Sequence, residues 1–175
     1  MTVSLYTATV SAYLQVLPAI AGMIGKAEAH GRDHALPESA LVTAALAPDM
    51  WAFAKQIRAV CMHSAGAIEG AIAGELAPDM TAPPADLAGL GAMVQTAIKR
   101  LEAVAPAQVD ALVGQDTVFR FGERRMDFLA EDLLLTFSVP NFYFHAGAAY
   151  AILRAQGLSI SKGDFLGKPR FKMPA

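Results

Sequence analysis

Cysteine is almost missing from this chain. Cys61 is the only one in 175 residues, so no internal disulfide can form and packing alone must hold the fold. That usage suits a reducing compartment, and a cytoplasmic location is expected. Charge is scarce as well. Only 17% of the residues are charged, and 14 basic and 16 acidic side chains lie scattered without long runs, for a net charge of −2. Such a balance provides no basic patch for nucleic acid and no electrostatic hold on an anionic membrane, so neither partner is expected. There is no glycine-rich phosphate loop, no Ser-His-Asp set, no carboxylate pair at a telling spacing and no cysteine-rich metal motif. With them goes any direct pointer to a reaction.

What the chain does have is apolar surface: 54% of it is hydrophobic, enough for a substantial core and far from the composition of a disordered protein. Residues 1–25 and 133–153 carry no Lys, Arg, Asp or Glu and are long enough to span a bilayer. The first stretch is broken by Thr7, Thr9, Ser11, Gln15 and Pro18, the second by Thr136, Ser138, Pro140, Asn141 and His145. Buried bundle helices account for both better than membrane spans. No Lys or Arg precedes the first stretch, so it reads as mature structure rather than a signal peptide.

Helical periodicity predicts four main helices in one domain over 1–175. Leu5, Ala12, Val16, Ile20, Met23 and Ala27 mark helix 1, with a kink expected at Pro18 and a stop at Gly31. A short helix from Pro37-Glu38 through Leu46 is followed by helix 2 from near Asp49 to Gly74, on the stripe Met50, Ala54, Ile57, Cys61, Ile68 and Ile72. Leu87, Leu90, Val94, Ile98, Leu101 and Val104 mark helix 3, closed by Pro106. Leu-Ala-Pro-Asp-Met occurs twice, at 46–50 and 76–80, with unlike flanks, and reads as coincidence.

Between helices 3 and 4 the period changes to alternation. Gly122-Glu123 suits a two-residue hairpin turn, which places Thr117, Phe119, Phe121, Arg124, Met126 and Phe128 on one face. Helix 4 runs from about Leu129 to Gln156, with Leu134, Phe137, Asn141, His145, Ala148 and Ile152 on one stripe and Gly157 as its cap. The basic tail beyond it is expected to be an extended wrap. The fold class is therefore all-α, an up-down four-helix bundle with a small β-hairpin before the last helix. Ile57, Leu101, Phe137 and Ile152 are its expected core, and a chain this apolar is expected to form a homodimer through helix surfaces.

Asn141 and His145 are the most informative residues, because positions four apart share a helix face and this face is otherwise apolar. Buried polar groups need partners, whether another side chain, water, a metal or a ligand. From the spacing alone, a satisfied structural pair that caps the carbonyl freed by Pro140 is the favoured reading. His30 and His34 form an His-x-x-x-His pattern at a helix end, where capping or exposure outweighs metal binding. Cys61 reads as an inert buried thiol, and Arg120 with Arg125 as either an anion hold or a solvated pair.

The run Pro-Asn-Phe-Tyr-Phe-His at 140–145, Leu-Ala-Pro-Asp-Met at 46–50, Gln-Ile-Arg-Ala-Val-Cys at 56–61 and Lys-Gly-Asp-Phe-Leu-Gly at 162–167 resemble the bacterial domain-of-unknown-function family 1993 along essentially the whole chain. The resemblance implies the DinB/YfiT-like metalloenzyme superfamily, which has a four-helix bundle fold and includes metal-dependent thiol transferases. In those relatives one histidine of helix 2 and an His-x-x-x-His pair of helix 4 hold the metal. The matching positions here are Gln56, Asn141 and His145, so one ligand of three survives, and amides bind zinc or nickel poorly. The resemblance thus implies a polar pocket of Gln56, Asn141 and His145 that takes a small-molecule ligand and holds no metal cofactor; the competing expectation is a divergent metal-dependent transferase using the same pocket. His63 lies seven residues beyond Gln56, about 10 Å along a helix, and is not expected to replace that ligand.

Overall fold

The computed structural model of the chain describes residues 3–172. Met1 and Thr2 of the apolar N-terminal stretch, and the last three residues of the expected domain, lie outside the described residues. The chain is mostly helical, with one small sheet. Ser4 caps α1 (Leu5–Ala8) by accepting the Thr7 N–H at 3.2 Å. Thr9 then turns its hydroxyl back to the Leu5 carbonyl at 2.7 Å and interrupts the expected first helix, which resumes as α2 (Val10–Asp33). Pro18 lies inside α2 without ending it, and the helix passes the expected stop at Gly31.

The short α3 (Glu38–Val42) ends before Leu46, at Thr43, whose hydroxyl bonds the Ser39 carbonyl at 2.7 Å. The second main helix starts at Phe53 rather than Asp49 and is not uniform: α4 (Phe53–Cys61) passes into a π-helical segment, π1 (Met62–Gly66), and then α5 (Ala67–Ala73). Gly74, at φ 81°, closes it in the left-handed conformation that favours glycine. The extra residue of a π turn rotates everything beyond it. Ile72 is consequently 41% exposed, although the plain 3.6-residue period assigns it to the core.

After β1 (Glu75–Leu76), Asp86 caps α6 (Leu87–Glu102) by accepting the Gly89 N–H at 2.6 Å. Pro106 does close that helix, and it also opens α7 (Pro106–Asp110), since proline suits a first helical turn. Strands β2 (Asp116–Phe121) and β3 (Arg124–Leu129) form the hairpin about Gly122 in the expected register, with Thr117 opposite Phe128 and Phe119 opposite Met126. Its covering face is only partly covered: Thr117 and Phe119 are buried, while Phe121 and Met126 are exposed. The sequence pattern does not reveal that β1 joins β2 in parallel, making the sheet three-stranded and mixed in the order β1-β2-β3. Two residues are too short a run to show a period.

The last main helix is likewise composite: α8 (Ala130–Asp132), π2 (Leu133–Ser138) and α9 (Val139–Ala155). Gly157, at φ 87°, stands just past its end. The expected extended tail instead forms α10 (Lys162–Leu166), started by a Ser161–Asp164 capping box. It docks on α2 through Lys26–Asp164 at 2.5 Å and Gln15 Nε2 donating to the Leu166 carbonyl at 3.0 Å. At Gly167 a Cβ would lie 2.0 Å from the Gln15 carbonyl oxygen, so only glycine fits.

In the packing, α2 lies against α6 and α4 against α9, and further contacts of α4 with α6 and α2 with α9 join the two pairs. Residues 5–33 are long and apolar enough to cross a membrane by length and composition. Tyr13, Val16, Leu17, Ile20, Met23 and Ile24 of that stretch are nonetheless buried among the other helices, as in a core helix. Ile57, Leu101 and Ile152 are buried as expected. Phe137 is a correction. It is only half-buried, because it faces a cavity rather than the closed core.

Candidate functional site

Both π segments open toward the same region. In π1, the Ser64 hydroxyl donates to the Val60 carbonyl at 2.7 Å and reaches the Cys61 carbonyl at 3.3 Å, a back-bond that competes with the regular α ladder. His63 sits in that turn. In the last helix Pro140 has no N–H to give and would crowd the carbonyl four residues back, and the wider turn of π2 just before it relieves both problems. Thr136 Oγ1 and Asn141 Nδ2 take up backbone carbonyls there, those of Asp132 at 2.6 Å and Phe137 at 2.8 Å.

His145 follows Asn141 by one turn and meets Gln56 of α4. Gln56 is 1% exposed, and its amide is oriented without ambiguity: Nε2 donates to the Trp51 carbonyl at 3.0 Å, which leaves Oε1 for His145 Nδ1 at 2.7 Å. A carbonyl oxygen only accepts, so His145 carries its proton on Nδ1 and, when neutral, has a lone pair at Nε2. The Trp51 ring lies nearly parallel to His145, with centroids 5.4 Å apart and planes 10° apart. His63 lies parallel to His145 as well, at 5.8 Å and 13°. Its Nδ1 is buried with no partner.

Burial lowers the pKa of both imidazoles. For His63 the removal from water, with a smaller contribution from the charge of His145, brings it down to about 4. For His145 burial acts in the same direction. Both rings are neutral at neutral pH. They line one cavity of about 240 Å³, together with Trp51, Met62, Phe119, Phe137 and Asn141. Arg58 and Asp79 also line it, and both are bonded to Thr81, Arg58 to its carbonyl and Asp79 to its N–H at 2.8 Å.

Of the three residues expected to form a pocket, the structure joins Gln56 to His145 directly and sets Asn141 on the cavity wall with its amide nitrogen engaged one turn back. Gln56 itself does not line the cavity. His63 is the residue that sequence reasoning missed. The distance along the axis argued against it as a substitute for Gln56, but seven residues are two turns, so both project from one face, and the π turn moves His63 beside His145. The aromatic walls from Trp51 and the hairpin left no sequence signal beyond the alternation that placed Phe119 inward.

The other candidates have ordinary roles. His30 and His34 stack at 4.1 Å at the end of α2, where His34 Nδ1 bonds the His30 carbonyl at 3.0 Å. Cys61 is buried, and loss of water pushes its thiol up to about 12. Arg120 and Arg125 do face each other across the hairpin. Each has a carboxylate, however, Arg120 a bidentate contact with Glu75 at 3.0 Å and Arg125 a contact with Asp127 at 2.8 Å, so no anion is needed.

The three-histidine metal site that the sequence resemblance implies would need a third charged or imidazole donor beside His63 and His145. Asp79 Oδ1 is engaged by Thr81, and among the described residues no group of three His, Cys, Asp or Glu side chains gathers to hold an ion. The donor set does not fit such a metal. Compared with known proteins, the fold matches the crystal structure of a DinB family member protein from Shewanella denitrificans, with a TM-score of 0.82 over 97% of this chain and 96% of that one, at 24% identity. No curated protein matches the sequence. The family model described as a domain of unknown function, DUF1993, matches residues 5–166, and the chain belongs to that family.

Proposed function

We propose that this protein binds a small molecule in the cavity beside His63 and His145, and that it does so without the three-histidine metal site of its superfamily. The observation that carries this reading is the Trp51–Gln56–His145 chain of hydrogen bonds and stacking, which fixes one imidazole tautomer at the wall of an aromatic cavity. A polar group oriented that firmly against an apolar wall is how ligand sites set specificity. If a reaction occurs there, His145 Nε2 is the proton acceptor, since its lone pair is the one basic atom held in place by a bonded neighbour.

The alternative is a divergent metal-dependent, thiol transferase-like enzyme in the same pocket, and its support is the second imidazole, His63. Elemental analysis separates the two. Protein purified without chelator or affinity-tag metal should contain far less than one zinc or nickel per chain; near-stoichiometric metal that disappears in His145→Ala would establish the alternative. With either reading we place the four long helical segments as an up-down bundle, in one cytoplasmic domain over 1–175 that forms a homodimer and has no nucleic acid or membrane partner. Light scattering that gives a monomer at high concentration removes the dimer.

A further inference from the structure

If the cavity binds a small molecule, as proposed, its walls narrow the choice of ligand. His145 gives its Nδ1 proton to Gln56 and so presents an acceptor at Nε2. His63 is its complement. An N–H sealed from every acceptor loses its hydration without compensation, so with Nδ1 buried and unpartnered the proton of the neutral ring belongs on Nε2. One imidazole thus offers a lone pair and the other an N–H. The two rings lie nearly parallel on one cavity wall with centroids 5.8 Å apart, close enough for one small polar group of a ligand to meet both.

A hydroxyl both donates and accepts through a single atom, whereas a carboxylate only accepts and an ammonium only donates. Arg58 and Asp79 on the wall are opposite in sign and both engaged by Thr81, so they impose no net charge on the ligand. Size and shape then decide the remainder. An apolar cavity of about 150 Å³ holds benzene, and this one, at about 240 Å³, has room for a substituted ring. Trp51, Phe119 and Phe137 supply the faces and edges that aromatic rings pack against.

We infer that the cavity takes a monocyclic phenol, its hydroxyl bridging His145 and His63 and its ring lying among Trp51, Phe119 and Phe137. The test titrates the full chain with phenol, toluene and anisole, which match in shape but offer respectively both hydrogen-bonding roles, none, and acceptance alone. Calorimetry or ligand-observed NMR should show phenol binding about tenfold tighter than either. Imidazole nitrogen shifts should report a protonated Nδ1 and an unprotonated Nε2 at His145. In Gln56→Leu the tautomer is released, and the phenol preference should shrink severalfold while toluene binding stays. Toluene or anisole equal to phenol in the unmodified protein overturns the inference and leaves the ligand-binding reading intact. If none of the three binds at millimolar concentration, both fall. The unmodified protein decides both points even if the variant does not fold.

Discussion

The two halves of the helical core obey different rules. Where α2 meets α6, Val16, Leu17, Ile20, Ile24, Leu90 and Val94 are buried, both helices are continuous α-helix, and the buried polar groups of α2 are Tyr13 and the N-terminal Thr9. Where α4 and π1 meet π2 and α9, both helices contain a π turn, and Gln56, His63, Ser64, Ser138 and His145 are buried. Among the described residues four buried side-chain polar atoms have no partner. Three of them, on His63, Thr117 and Ser138, belong to the second half or the strand beside it. Regular helices let side chains fill the space between them; a widened turn misaligns the ridges and leaves both a cavity and polar groups to line it. The candidate cavity beside His63 and His145 thus lies where the helices are irregular.

The sharpest way to break this contrast is to truncate both halves. Leu90→Ala in the closed half should cost about 2–5 kcal/mol of unfolding free energy, the usual penalty for a fully buried leucine. Phe137→Ala on the cavity wall removes a larger side chain but should cost less than a buried phenylalanine normally does, because the wall is already half open. Urea melts of the pair decide it. A Phe137→Ala loss well above that of Leu90→Ala would mean that the cavity is closed in solution.

Between pH 6.5 and 4, acid should act chiefly on the second half. His63 titrates near its ordinary value of 6.5 when unfolded and at about 4 when folded, so the unfolded chain binds the extra proton between these limits. Stability from this group is therefore complete above pH 6.5 and is lost as pH falls toward 4, by up to about 3 kcal/mol, with His145 adding to the same trend. In His63→Gln that part of the slope should vanish. An unchanged slope would assign the acid sensitivity elsewhere.

Gln56→Leu tests the hydrogen-bond chain with a smaller effect. It strands the Trp51 carbonyl and the His145 N–H, and a loss of about 1–3 kcal/mol is expected. A neutral result would mean that water replaces the amide with no penalty. Least of all should come from Arg100→Ala, which removes the contact of α6 with Glu69 on α5. Both side chains are more than two-fifths exposed, so solvent screening holds the loss below about 1 kcal/mol. A larger loss would show that the two halves are tied at their surface as well as through the core.

The sequence by itself determined what depends on local periodicity and chemistry. The α6 stripe from Leu87 to Leu101, the Gly157 boundary, the hairpin register about Gly122 and the inward face of His145 could all be read from spacing, because a helix or hairpin repeats its pattern every few residues. Only the tertiary structure decided what depends on a break in that pattern. A π turn has no period of its own and arises from competition among Ser64, Pro140 and their neighbours for backbone carbonyls, so the shift that exposes Ile72 and brings His63 beside His145 had no trace in the hydrophobic repeat. The pairing of β1 with β2 and the docking of α10 on α2 likewise join segments far apart in the chain, and such contacts are selected by the packed whole rather than by either segment.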